Sequence, residues 1–121
     1  MSVDNFLPYL QGALKAKVLT KTAMATLTND EVMRNFRIRG SHASAAIALT
    51  FPAASAANDG AILIVENTNA AVVTAVVTEG FGNGGNDTLT LAEGEAALVY
   101  SAETDTVGTF AWYGIHNEPA A

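Results

Sequence analysis

Residues 47–78 read IALTFPAASAANDGAILIVENTNAAVVTAVVT, and this stretch decides the fold class. Ile47, Leu49 and Phe51 alternate with Ala48 and Thr50, the period of a strand with one buried face. Pro52 then ends the ladder because it has no N–H to donate. Asn58-Asp59-Gly60 supplies residues that tolerate positive φ and marks a turn. The unbroken apolar run Ala61 to Val65 implies a strand buried on both faces. After Glu66-Asn67-Thr68-Asn69 the run AAVVTAVVT is equally apolar, so the two are expected to pair as central strands of one sheet.

The same punctuation continues outward in both directions. Downstream, GFGNGGN is too glycine-rich for regular structure, and Leu89 and Leu91 alternate with Thr88 and Thr90. Glu93-Gly94-Glu95 turns the chain, Ala96 to Tyr100 returns it, Ser101 to Gly108 reads as loop, and TFAWYGIH closes as a terminal strand. Upstream, the alternation of Val32, Phe36 and Ile38 against Asn35, Arg37 and Arg39 predicts a strand from Val32 onward. Residues 1–28 follow no single period: Leu7, Leu10, Leu14 and Val18 keep helical spacing, while Gly12 and the Thr-rich VLTKTAMATLT favour extended backbone. Six or seven short strands about ten residues apart, with no alternation of strands and helices, predict an all-β fold. The expected form is a small antiparallel β-sandwich or jelly-roll-like barrel, residues 32–121, preceded by an extended N-terminal arm, residues 1–31.

The 121 residues suit one domain, and 50% hydrophobic with 15% charged residues gives enough apolar surface to offset chain entropy. Cysteine is absent, which excludes disulfides, zinc thiolates and thiol nucleophiles. The start, MSVDNFLPYLQGALKAKV, places Asp4 ahead of an apolar stretch broken by Pro8 and Gly12, and no export signal is read there. No window reaches the roughly 18 uncharged apolar residues of a membrane span.

Charge divides the chain. All six basic residues, Lys15, Lys17, Lys21, Arg34, Arg37 and Arg39, precede residue 40 and face three acids there, a net +3; residues 41–121 hold nine acids and no Lys or Arg, a net −9. Two explanations compete: a basic arm that adheres to an acidic surface, or a domain whose basic segment balances its own acids. Nucleic acid is not expected as a partner, since the bases lack interleaved aromatics and are joined to an acidic body.

Signals for chemistry are weak. His42 sits in a Ser-rich turn and His116 near the C-terminus, with no motif placing an orienting third group beside either. Glu93 and Glu95 flank a turn glycine, the usual setting of solvated charge. Gly82-Asn83-Gly84-Gly85-Asn86-Asp87-Thr88-Leu89 is similar to one turn of a calcium-binding nonapeptide repeat, but one turn cannot supply six to eight oxygen ligands. No catalytic residue, metal site or cofactor is expected.

Three pieces of Ile47 to Ile115 carry a family likeness: ALTFPAASAANDGAILIVENTNAAVVT, DTLTLAEGEAALVYS and TFAWYGI. Together they resemble a β-rich module of bacteriophage virion proteins, including capsid decoration proteins, head fibres and tail-fibre segments. The shared pattern is a Leu-Thr-x-Pro-Ala strand, a turn, a strand ending in Glu-Asn, a Leu-x-x-Gly-Glu turn and a terminal Trp-Tyr strand. Because the chain lacks a long shaft or repeats, the resemblance favours a decoration, or cement, protein. It implies a non-enzymatic homotrimer on the capsid exterior, made in the host cytoplasm and bound to the major capsid protein. The leading segment would dock through Phe6, Leu7, Tyr9, Leu10 and Leu14 as apolar anchors, with Lys15, Lys17, Lys21, Arg34, Arg37 and Arg39 meeting acidic patches. The alternative is a receptor- or carbohydrate-binding fibre tip in which Trp112, Tyr113, Tyr100 and Phe81 stack on sugars.

Overall fold

The structure, a computed structural model, describes residues 8, 18–77, 80–82 and 88–116. The regular structure among the described residues is mostly β-strand. In chain order they form β1 (Leu19–Lys21), β2 (Ala25–Thr26), α1 (Asn29–Arg34), β3 (Arg37–Gly40), β4 (Ile47–Thr50), β5 (Ile62–Asn67), β6 (Val73–Val76), β7 (Thr88–Leu91), β8 (Ala96–Glu103) and β9 (Phe110–His116). Two sheets result, a five-stranded one ordered β1-β3-β5-β8-β9 and a four-stranded one ordered β2-β4-β6-β7.

Both sheets are mixed, where antiparallel pairing was the expectation. The ladders β1/β3, β3/β5, β2/β4 and β4/β6 are parallel, and only β5/β8, β6/β7 and β8/β9 are antiparallel. The reason lies in the route of the chain. From β1 to β6 every strand is followed by one in the other sheet, so the chain lays down three successive two-strand rungs, each stacked on the one before. Alternation fixes which side chains face inward and says nothing about the direction of the neighbouring strand. For the same reason β5 and β6 do not pair: β5 lies between β3 and β8, and β6 between β4 and β7. Nor is β5 buried on both faces. Leu63 and Val65 are fully buried while Ile62 is 50% exposed, so its apolar run hides an ordinary one-sided strand.

Local chemistry also overrides the strand expected from Val32. Thr28 accepts a hydrogen bond from the Glu31 N–H (3.1 Å), and the Glu31 carboxylate accepts one from the Thr28 N–H (3.0 Å), a complete capping box that starts α1. Val32 is buried from this helix, and β3 begins only at Arg37. Residues 19–31, assigned above to the arm, thus supply β1, β2 and the first half of α1.

Inward-facing residues of both sheets form one buried cluster, with Ile38, Leu63, Val65, Val99 and Trp112 from one sheet and Ile47, Leu49, Val73, Ala75 and Leu91 from the other. Trp112 joins the two: its ring meets Phe51 edge-on at 5.0 Å, and its Nε1–H donates to the Pro52 carbonyl at 2.7 Å. Gly40 faces the same interior, where an added Cβ would lie 2.6 Å from Val73 Cγ2.

Two asparagines hold the crossings between sheets. Asn58 is fully buried in the β4–β5 connection. Its Nδ2 donates to Asn29 Oδ1 and the Ala53 carbonyl (both 2.9 Å), and its Oδ1 accepts from the Ser55 N–H and the Ser101 hydroxyl (both 3.0 Å). Asn67 ends β5; its Nδ2 donates to the carbonyls of Ala71 (2.8 Å) and Leu91 (3.0 Å), and its Oδ1 accepts from the Asn69 N–H (3.1 Å). Asn58→Ala strands several buried groups, so it is expected to lower unfolding free energy by about 2–4 kcal/mol in urea titration. Asn58→Asp, which keeps the acceptor and loses both donors, should recover only part of that loss.

Candidate docking surface

The expected docking residues divide at Val18. Phe6, Leu7, Tyr9, Leu10, Leu14, Lys15 and Lys17 lie outside the described residues. Lys21, Arg34, Arg37 and Arg39 are all described, and each meets an acid of its own chain. Lys21 Nζ reaches Glu31 Oε2 at 2.7 Å, tying β1 to α1. Arg34 pairs with Asp30 one helical turn back at 2.7 Å, with both side chains about 70% or more exposed, a geometry worth little in water. Arg37 and Arg39 converge on the single carboxylate oxygen Glu66 Oε1 at 2.8 and 3.0 Å. Parallel register places Arg39 directly beside Glu66 and Arg37 two residues earlier, opposite Ile64 on the same face, which makes the triad a product of strand alignment.

Lys21, Arg37 and Arg39 therefore act inside the body: they bind β1 to α1 and β3 to β5, the balancing role weighed above against adhesion. The signal for it was present in the sequence as Glu66 and Glu31, but only the parallel register of β3 against β5 reveals which acid meets which base.

The remaining candidates resolve as structural elements. His42 Nδ1 accepts the N–H groups of Ser44 (3.1 Å) and Ala45 (2.8 Å), which closes the turn leading to β4. His116 lies 3.6 Å from Glu95. Glu95 Oε1 accepts the Ala92 N–H at 2.6 Å, and Gly94, at φ 82°, donates its N–H to the Asn67 carbonyl (2.9 Å), so the Leu91–Glu95 turn is clipped onto the end of β5. The calcium-like motif falls largely on residues 83–87, outside the described set. Among the described residues no three His, Asp or Glu side chains gather as metal ligands, and no helix is long and apolar enough to cross a membrane.

Sugar stacking by the full aromatic set is not possible. Trp112 is 0% and Phe81 2% exposed, both committed to the core. Tyr100 and Tyr113 instead stand on the outer face of the five-stranded sheet, their rings stacked at 5.1 Å and 19°. Around them Ile62, Ile64, Leu98 and Ile115 form an outward apolar face.

No protein-family model matches the chain, and neither the curated proteins nor the solved structures return a match.

The Lys21 ammonium, and after it the Thr28 backbone N–H, hold the Glu31 carboxyl below its ordinary value. A depressed carboxylate contributes stability above its unfolded value, about 4.3, and loses it as pH falls through the lower folded value. Glu31→Gln is accordingly expected to cost about 0.5–1 kcal/mol at pH 7 and less at about pH 3, below the unfolded carboxyl's value. Urea titrations of both proteins at the two pH values measure the difference.

Proposed function

We propose that this chain is a capsid decoration protein, a β-sandwich body that sits on the outer surface of a bacteriophage head as a homotrimer and stabilises it. The reading is supported by where the resembling residues lie in the fold. Leu49-Thr50-Phe51-Pro52 carries β4 into its crossing, Glu66-Asn67 ends β5, Leu91 to Glu95 is the turn clipped to Asn67, and Trp112-Tyr113 stands in the closing strand. The likeness thus rests on residues that shape a rigid body, with no catalytic constellation among them.

Charge narrows the attachment. With Lys21, Arg37 and Arg39 paired to acids on neighbouring elements of the same chain and Arg34 to Asp30 of its own helix, the bases assigned here to an acidic capsid surface are Lys15 and Lys17. They follow Phe6, Leu7, Tyr9, Leu10 and Leu14, so anchoring falls to residues 1–17. Three such segments on one trimer make several weak contacts act together.

Undecorated shells of the cognate capsid, mixed with the protein, are expected to gain heat resistance and to carry the chain down on sedimentation. Leu10→Asp combined with Lys15→Glu and Lys17→Glu should reduce attachment about a hundredfold or more through lost anchors and reversed charge, with the melting temperature of the body unchanged. Arg39→Glu should act on the body, lowering its stability by placing a second carboxylate beside Glu66. A chain that never binds shells ends the proposal.

A further inference from the structure

We propose that copies of this chain associate through the outer face of the five-stranded sheet, the Arg39 corner of one copy meeting the acidic β8–β9 turn of the next. The face is built from two cross-strand rows. Ile64, Leu98 and Ile115 are directly opposite one another on β5, β8 and β9, and Ile62, Tyr100 and Tyr113 form the adjacent row. Directly opposed side chains have Cβ atoms about 5 Å apart, so six uncharged large residues make one contiguous surface. Ile62 is 50% and Ile115 61% exposed, whereas Leu63, Val65, Val99 and Trp112 on the inner face of the same strands are fully buried. A contiguous exposed apolar area on a small domain marks a contact surface.

Charge at its margins selects the occupant. At one corner Arg39 has Glu66 as its carboxylate partner and shares it with Arg37. At the diagonally opposite corner the β8–β9 turn exposes Asp105, while Glu103 at the end of β8 accepts the Gly108 N–H at 3.1 Å. From Ala96, beside Glu66, to Glu103 the strand spans about 24 Å, so cation and anion stand at opposite ends of the face. Covering the face therefore takes apolar rows with acid against one end and base against the other, and further copies of this face bring all three, one neighbour placing its acidic turn at the Arg39 corner and another its Arg39 corner at the acidic turn. The chain carries a net charge of −6, which opposes self-association over most of its surface. Here the facing rows are neutral. A contact in which the Arg39 corner of one copy meets the acidic turn of the next, without the reverse pairing between the same two copies, is heterologous, and it closes into a ring when its rotation divides the circle.

This deepens the proposed function by naming the surface on which its trimer would form, and it is tested apart from shell binding. Light scattering on the full chain across a range of concentrations should show an oligomer of fixed size. Ile115→Arg and Ile62→Lys each place a charge in the contact, and each should raise the concentration needed for assembly by about a hundredfold or more. Both positions are exposed in the single chain, so melting temperatures should stay close to wild type. Asp105→Arg, in the turn, should weaken assembly by about tenfold, and added salt should have the same direction of effect. A wild-type chain that stays monomeric at every concentration overturns the proposal, as does an oligomer that survives both isoleucine replacements. Assembly through this face by a chain that ignores shells upholds it and removes the decoration reading. Shell binding by a strictly monomeric chain does the reverse, and the same monomer binding glycans through Tyr100 and Tyr113 would identify the face as a sugar platform.

Discussion

Each passage of the chain from one sheet to the other carries backbone out of reach of any ladder, and the fold depends on satisfying those groups. Between β4 and β5 the task falls to Asn58, whose amide reaches a helix residue, a loop carbonyl and a strand hydroxyl at once. After β5 it falls to Asn67, which gathers the Ala71 carbonyl, the Leu91 carbonyl and the Leu91–Glu95 turn. Both side chains are buried, and in a low dielectric an unpaired amide costs more than a paired one gains. The crossings are thereby restricted to the one geometry in which all partners are met. Trp112 adds the apolar half of the same constraint by spanning from β9 to the Phe51-Pro52 end of β4.

Much of this was legible residue by residue and little of it pair by pair. Ile47, Leu49 and Phe51 announced β4 and its buried face, Gly94 announced its turn, and Phe110 to His116 announced the last strand. Strand direction was not legible. Parallel stacking arises because the segments 27–36 and 51–61 return the chain to the sheet it left, and nothing in a period-2 pattern records that return. The helix was legible in principle: Thr28-Asn29-Asp30-Glu31 is a capping box, and its two hydrogen bonds at the N-terminus prevail over the alternation of Val32, Phe36 and Ile38. The apolar run Ile62 to Val65 misled in the other direction, since composition there reflects one core face and one face turned outward.

The bipolar charge pattern shows the same limit for function. Six bases ahead of residue 40 fit either an adhesive arm or internal balance, and three of them pair within the body once β3 lies parallel to β5 and Lys21 meets α1. Sequence gives the inventory of charges; register decides which of them face one another. Any outward electrostatic role is thus confined to fewer residues than composition alone implies.

The boundaries of the five-stranded sheet bear on how such a chain meets its neighbours. At one edge β1 is three residues long, too short to template a further strand, and the adjoining β2 edge of the other sheet has two residues. At the opposite edge the Trp112 carbonyl of β9 is already taken by the Gly82 N–H at 2.8 Å, with Phe81 bridged alongside. Extension of this sheet by strand addition is therefore blocked at its middle on one side and curtailed by length on the other. Protecting edges in this way favours discrete contacts over open-ended growth, and it shifts intermolecular contact from backbone to side chain. What the five-stranded sheet leaves outward is a side-chain surface, with Ile62, Tyr100, Tyr113 and Ile115 at spacings fixed by register and charged corners around them.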